Sequence, residues 1–142
     1  MTAKLQVLVD LNVILDVVQQ RQPFYSDSAR VLDAVVRGEV AGLLAAHSIA
    51  TLFFVVTRWR DRETAVTAIT SLLDVFTIAT VNDSVVRKAL TWGWRDFEDA
   101  IQMAAALNEQ ADYLVTQNGQ DFETQPVPVL APSGLLALLA QK

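Results

Sequence analysis

Apolar residues along this chain follow two rhythms. Short, nearly continuous runs have the length and character of buried strands: Leu5 to Asp10, Val40 to Ala45, Val75 to Ala79 and Ala111 to Thr116. Between them, apolar residues recur at helical spacing. Asn12 is placed to cap a short helix from Val13 to about Gln19, which Arg21-Gln22-Pro23 breaks. Ser26 opens a helix to about Arg37, with Ala29, Val31, Leu32, Val35 and Val36 on its apolar stripe and Gly38 as its stop. Ser48 to Trp59 reads as a buried helix despite its β-branched residues. Asp61 to Leu73, Asn82 or Asp83 to Trp92, and Asp96 to about Gln110 read as three more. Val127 to Leu130 is a fifth strand. Pro126 and Pro132 flank it and Pro128 interrupts it, which places it at a sheet edge. Pro132 or Ser133 starts a last helix to about Ala140.

Strands alternating with helices predict an α/β chain with helices on both faces of a parallel sheet. The expected architecture is a three-layer α/β/α sandwich around a mostly parallel sheet of four to five strands. It forms one domain over residues 1–142, with no repeat, linker or low-complexity tract.

Composition sharpens this. The chain has 142 residues, enough for a real core, and is 52% hydrophobic with mean hydropathy +0.31. The apolar surplus reads as a partner interface, and a homodimer is expected. Its motive is Leu52-Phe53-Phe54-Val55-Val56 with Trp59 in one helix, and Trp92-Gly93-Trp94; Arg58 and Arg60 suit an interface centre. No apolar run spans a bilayer, and the N-terminus lacks the pattern of a signal peptide, so a cytoplasmic location is expected. The absence of cysteine excludes a disulfide framework and a thiol nucleophile. A net charge of −5 argues against gripping nucleic acid by bulk charge. It does not exclude an enzyme acting on nucleic acid through a metal, which supplies local positive charge. Arg21, Arg58, Arg60, Arg62, Arg87, Lys88 and Arg95 are available to phosphates or simply solvated.

Candidate chemistry narrows to carboxylates. The single histidine, His47, precedes a helix and suits a loop or capping role; no Gly-x-Ser-x-Gly elbow accompanies it. Five glycines form no phosphate loop. Asp10, by contrast, ends a buried strand and points into the crevice beyond the sheet, where ligands sit in open α/β folds. Asp96 and Asp99 open a helix, and Asp121 follows Asn118-Gly119 after another strand. Carboxylates converging there would suit a hard divalent cation. Each has a plainer reading: Asp96 and Asp99 as helix caps, Asp121 as a turn residue, Asp16 as a solvated helix residue.

The ordered set resembles the PIN domain family. Asp10-Leu11-Asn12-Val13-Ile14-Leu15-Asp16 is similar to its opening motif. Asp96-Phe97-Glu98-Asp99-Ala100 with Ala104-Ala105-Ala106-Leu107 is similar to its third acidic motif, and Leu114-Val115-Thr116-Gln117-Asn118-Gly119-Gln120-Asp121-Phe122 to its closing motif. The family includes VapC-type toxins of bacterial toxin–antitoxin pairs, which are metal-dependent ribonucleases. The resemblance implies a metal-dependent endoribonuclease in which Asp10, Asp99 and Asp121 hold Mg²⁺ or Mn²⁺. Asn12, Asp16, Thr51, Asp96 and Asn118 would support them. It also implies an RNA substrate and an antitoxin-like protein partner. The sequence departs from the pattern at Thr51, which stands where the family usually has Glu, and at Asn118, where it often has Asp. A PIN-like domain that binds without cleaving is the alternative. A phosphatase built on an aspartate nucleophile fits less well, because Asn12 stands where its second acid would be.

Overall fold

The computed structural model describes residues 4–141. Strands β1 (Gln6–Val9), β2 (Ala41–Ala45), β3 (Phe76–Ala79), β4 (Tyr113–Val115) and β5 (Val129–Leu130) form one sheet in the order β3-β2-β1-β4-β5. Every pairing is parallel. The helices are α1 (Leu11–Val18), α2 (Tyr25–Val36), α3 (Ala46–Trp59), α4 (Arg62–Leu73), α5 (Asp83–Trp92), α6 (Phe97–Asn108) and α7 (Pro132–Ala140). A 3₁₀ turn occupies Gly119–Asp121.

Successive strand residues face opposite layers, and both layers are apolar. Val7, Val9, Leu44 and Val115 pack with α1, α2, α3, α4 and α7. Leu8, Leu43, Ala45 and Leu114 pack with α5 and the alanine-rich α6. This is the expected three-layer sandwich, with the two-residue β5 at one edge.

Several local expectations shift. The cap of α1 is Asp10, whose carboxylate accepts from the Asn12 backbone N–H at 3.4 Å; Asn12 lies inside the helix. A helix closing directly on the strand leaves no room for a later cap. Helix α3 starts at Ala46, so His47 and Ser48 fall in its first turn. It is not buried all round: Leu52 and Val56 are in the core, whereas Phe54 is 59% and Trp59 39% exposed. Trp92 and Trp94 stack on each other at 5.4 Å, and Trp94 is buried edge-on against Phe122 at 5.9 Å. Trp94 therefore belongs to the protein's own core, with the partly buried Trp92 packed against it.

Glycine is required by geometry at Gly93 and at Gly42. Gly93 ends α5 in the left-handed conformation at φ 65°. Gly42 pairs with Phe76 across β2 and β3, and a Cβ there would lie 2.6 Å from the Phe76 ring and 3.0 Å from Val35. The ring is buried, so making room for the methyl group means displacing core packing. Gly42→Ala is expected to cost about 1–3 kcal/mol, the usual penalty of overpacking. An equilibrium urea titration checks this, and an unchanged midpoint would contradict it.

Candidate active site

The site follows from the sheet order. Strand β1 is followed in sequence by β2 on one side, while β4 lies on its other side, so the crevice opens where the winding reverses. Asp10 and Thr116 directly follow β1 and β4, and the Asp10 N–H donates to the Val115 carbonyl at 2.9 Å. The Asp10 carboxylate is buried at 3% exposure. It accepts from Thr116 Oγ1 at 2.7 Å and from Gln102 Nε2 at 3.1 Å.

Helix α6 supplies the other wall. Its cap is Asp96, whose carboxylate accepts from the Asp99 N–H at 3.0 Å. Asp99 sits in the first turn and Gln102 one turn on, so both face the crevice. Gln102 Nε2 also donates to Asp99 Oδ1 at 3.3 Å. One amide nitrogen thus spends both hydrogens bridging two carboxylates. Gln102 is 4% exposed, and its Oε1 is buried with no partner among the described residues.

Charge repulsion is visible at Asp99. Burial, followed by the charges of Asp96 and Asp10, a hydrogen bond with Asp96 and the charge of Asp121, raises its carboxyl to about 7. Burial pushes Asp16 up, partly offset by bonds from Ser28 and Gln117 and by the Arg21 charge. Burial lowers His47, whose Nε2 lies 3.3 Å from the Glu98 carbonyl, a contact that only a protonated Nε2 makes.

The cleft encloses about 140 Å³, and Asp10, Asn12, Ser48, Asp96, Asp99, Gln102, Asn118 and Asp121 are among the residues lining it. Most of the sequence-predicted residues therefore meet here. Two do not. Thr51 lies about one turn beyond Ser48 on α3, and Ser48 rather than Thr51 lines the cleft. Asp16 is not solvated: it is 3% exposed, accepts from Ser28 Oγ at 3.0 Å and lies 4.0 Å from Arg21. It faces a neighbouring pocket. Sequence reasoning missed Gln102, Thr116 and Ser48 as site residues. The spacing Asp96, Asp99, Gln102 along one helix face was the available signal for Gln102.

The donors suit a hard cation in kind, since Asp10 and Asp99 offer carboxylate oxygens and the acidic neighbours of Asp99 add to burial in raising its carboxyl. Among the described residues, no three acidic or histidine side chains form a ready coordination cage. Asp10 and Asp99, both bonded to the Gln102 amide, are the pair that would hold an ion, with Asp96 and Asp121 at the rim. That suits an ion such as Mg²⁺, which takes one or two carboxylates and keeps its waters.

A family model described as PIN domain matches residues 6–120. The chain belongs to the PIN domain family. The chain is similar to Ribonuclease VapC1 of Aquifex aeolicus (strain VF5), 24% identical over 130 residues that cover 88% of this chain and 89% of that protein. The fold matches VapBC-1 from nontypeable Haemophilus influenzae with a TM-score of 0.71 at 15% identity, covering 91% of this chain and 99% of that one. It matches a toxin-antitoxin complex from Klebsiella pneumoniae with a TM-score of 0.68 at 18% identity, covering 89% and 97% of the two chains. The three acidic motifs read from the sequence thus lie on a PIN fold, and two of them contribute the carboxylates that Gln102 bridges.

Proposed function

We propose that this chain is a metal-dependent endoribonuclease that hydrolyses RNA phosphodiester bonds with Mg²⁺ or Mn²⁺, and is the toxin of a toxin–antitoxin pair. The observation carrying the reading is the Asp10–Gln102–Asp99 bridge at the switch point of a PIN sheet. A buried amide holding two carboxylates together marks where a cation would replace it.

In this reading Asp10 and Asp99 bind the ion, and Asp121 completes the site from its 3₁₀ turn. A divalent cation there supplies charge neutralisation at the phosphoryl oxygens and acidifies a water molecule. Thr116 fixes Asp10 from behind, and the Asn118 N–H donates to Thr116 Oγ1 at 3.1 Å, which locks that hydroxyl. The hydroxyl therefore presents its one hydrogen to Asp10. Asn12 and Asn118 hold water or phosphate at the rim, and Asp96 anchors Asp99 through the helix cap. The lack of a three-acid cage among the described residues supports slow turnover. It is also the observation that favours the second reading, a PIN domain that binds RNA or protein without cleaving.

Assembly as a homodimer is supported by apolar surface on α3 and α4: Phe54, Trp59, Val66 and Leu73 are 59%, 39%, 40% and 52% exposed. Light scattering over a wide concentration range is expected to give twice the mass of the chain; a monomer throughout would contradict it. An antitoxin partner is supported by the toxin–antitoxin complexes that share this fold. The test of the nuclease reading is cleavage of a mixed RNA pool by pure protein. Cleavage with Mn²⁺ and none with EDTA is expected. No cleavage with any divalent ion would leave the non-catalytic reading.

A further inference from the structure

Two openings adjoin the acidic cleft, and their chemistry differs. One is a broad depression of about 1030 Å³ lined by Asp96, Glu98, Asp121 and Glu123 with one guanidinium, Arg95. The other is a pocket of about 320 Å³ lined by Asn12, Asp16, Arg21, Gln22, Phe24, Gln117 and Asn118. Asn12 and Asn118 line both this pocket and the cleft, so the two adjoin at those side chains, as the depression adjoins the cleft at Asp96, Glu98 and Asp121. The cleft itself, at about 140 Å³, has room for an ion and a phosphate group but not for a nucleoside. A bound nucleotide must place its base in a neighbouring opening.

Charge decides which. Glu98 and Glu123 in the broad depression repel a polyanionic strand, and Asp96 and Asp121 add whatever charge the ion leaves uncompensated. The smaller pocket has one carboxylate, Asp16, and it is buried beside Arg21 and bonded to Ser28. Its remaining groups are neutral amides, one guanidinium and the Phe24 ring, 43% exposed. These are the groups that take single-stranded RNA: an aromatic face for stacking, amides for base edges and an arginine for phosphate.

The pocket is also built before any ligand arrives. The Arg21 N–H donates to the Asp16 carbonyl at 2.9 Å, and the Arg21 carbonyl accepts from the Tyr25 N–H at 2.7 Å. Arg21 Nε donates to Gln19 Oε1 at 2.8 Å, which leaves its terminal nitrogens toward Asp16 and the pocket. Gln117 Nε2 donates to Ser28 Oγ at 3.3 Å, so the Ser28–Asp16 pair fixes that amide from the buried side. Asp16 is thereby a positioning residue for Arg21 and Gln117.

We propose that the Arg21–Phe24–Gln117 pocket is a nucleobase subsite that receives the base adjoining the phosphate held in the cleft. This rests on the nuclease reading for the identity of that phosphate. The strand leaves the cleft over Asn12 and Asn118, away from the acidic depression, and the enzyme discriminates among bases at that one position.

The test is titration of the four nucleoside 5′-monophosphates with Mg²⁺, followed by amide NMR on the intact chain. One base is expected to bind at least about fivefold tighter than the weakest. Phe24→Ala is expected to weaken that nucleotide about tenfold, within the reach of base–aromatic stacking. Arg21→Gln weakens all four alike. Phe97→Ala, in the depression and 41% exposed, leaves them unchanged. Phe24 and Phe97 are both surface rings, so neither change threatens the fold. No binding, four unaltered affinities in Phe24→Ala, or a loss in Phe97→Ala instead would each overturn the subsite. RNA cleavage by a protein whose Phe24→Ala variant behaves as wild type removes the subsite and leaves the nuclease standing. Nucleotide binding sensitive to Phe24→Ala in a protein that never cleaves does the reverse.

Discussion

Asp10→Asn is expected to abolish Mn²⁺-dependent RNA cleavage, by at least about a hundredfold, while leaving the fold intact. The carboxylate is buried among Thr116, Gln102 and the start of α1, so removing its charge removes the anion at the centre of the site. The amide is nearly the same shape. It keeps one oxygen for Gln102 Nε2 and the Asn12 N–H, and its new N–H can use the second lone pair of Thr116 Oγ1, at the cost of the hydrogen bond that hydroxyl donates in wild type. Losing Asp10 also removes one of the charges pressing on Asp99, which offsets part of the hydrogen bonding lost at Thr116, so the metal-free variant should stay folded. Wild type should gain thermal stability on adding Mn²⁺, because an ion that binds only the folded state stabilises it; the variant should gain far less. Cleavage by Asp10→Asn at the wild-type rate would remove Asp10 from the chemistry.

Metal affinity should depend steeply on pH below neutrality. The Asp99 carboxyl is raised to about 7, chiefly by burial and then by its acidic neighbours, against about 3.9 in an unfolded chain. Between these values the folded state holds a proton that the unfolded state has released. This group's contribution to the stability of the metal-free protein therefore falls as pH rises from about 4 to about 7, and is level outside that window. A cation must displace the same proton, so its apparent affinity should rise up to about tenfold per pH unit and flatten above about 7. Mn²⁺ should thus bind roughly thirtyfold tighter at about pH 8 than at about pH 5.5, as seen by calorimetry, with uptake releasing protons in the acidic range. Asp99→Asn should weaken the ion and remove the slope. An affinity equal at both pH values in wild type would show that Asp99 does not exchange its proton for the metal.

The strands and the two principal acids were legible because each carries a local signal. A short apolar run ending in a carboxylate, such as Leu5 to Asp10, needs no distant information to be read. What the sequence hid depends on residues far apart. Asp16 is buried because Ser28, on the next helix, offers it a hydroxyl, and nothing in the pattern of α1 announces that partner. Gln102 lies within an alanine-rich helix and carries no charge. Its role exists only because β1 delivers Asp10 within 3.1 Å of it. Thr51 stands where the family pattern has Glu, whereas the residue that lines the cleft is Ser48, in the first turn of α3, and a pattern match along the chain does not say which turn reaches the crevice. Trp94 looked like interface material from composition, but Phe122, far along the chain, covers it.

The most direct test of the central claim, that the carboxylates bridged by Gln102 form a metal site, is anomalous diffraction from crystals soaked in Mn²⁺. The expected result is a peak within coordinating distance of both Asp10 and Asp99, with the Gln102 amide no longer bonded to both. A map with no peak between those residues at saturating Mn²⁺, from protein that still cleaves RNA in EDTA, would contradict it.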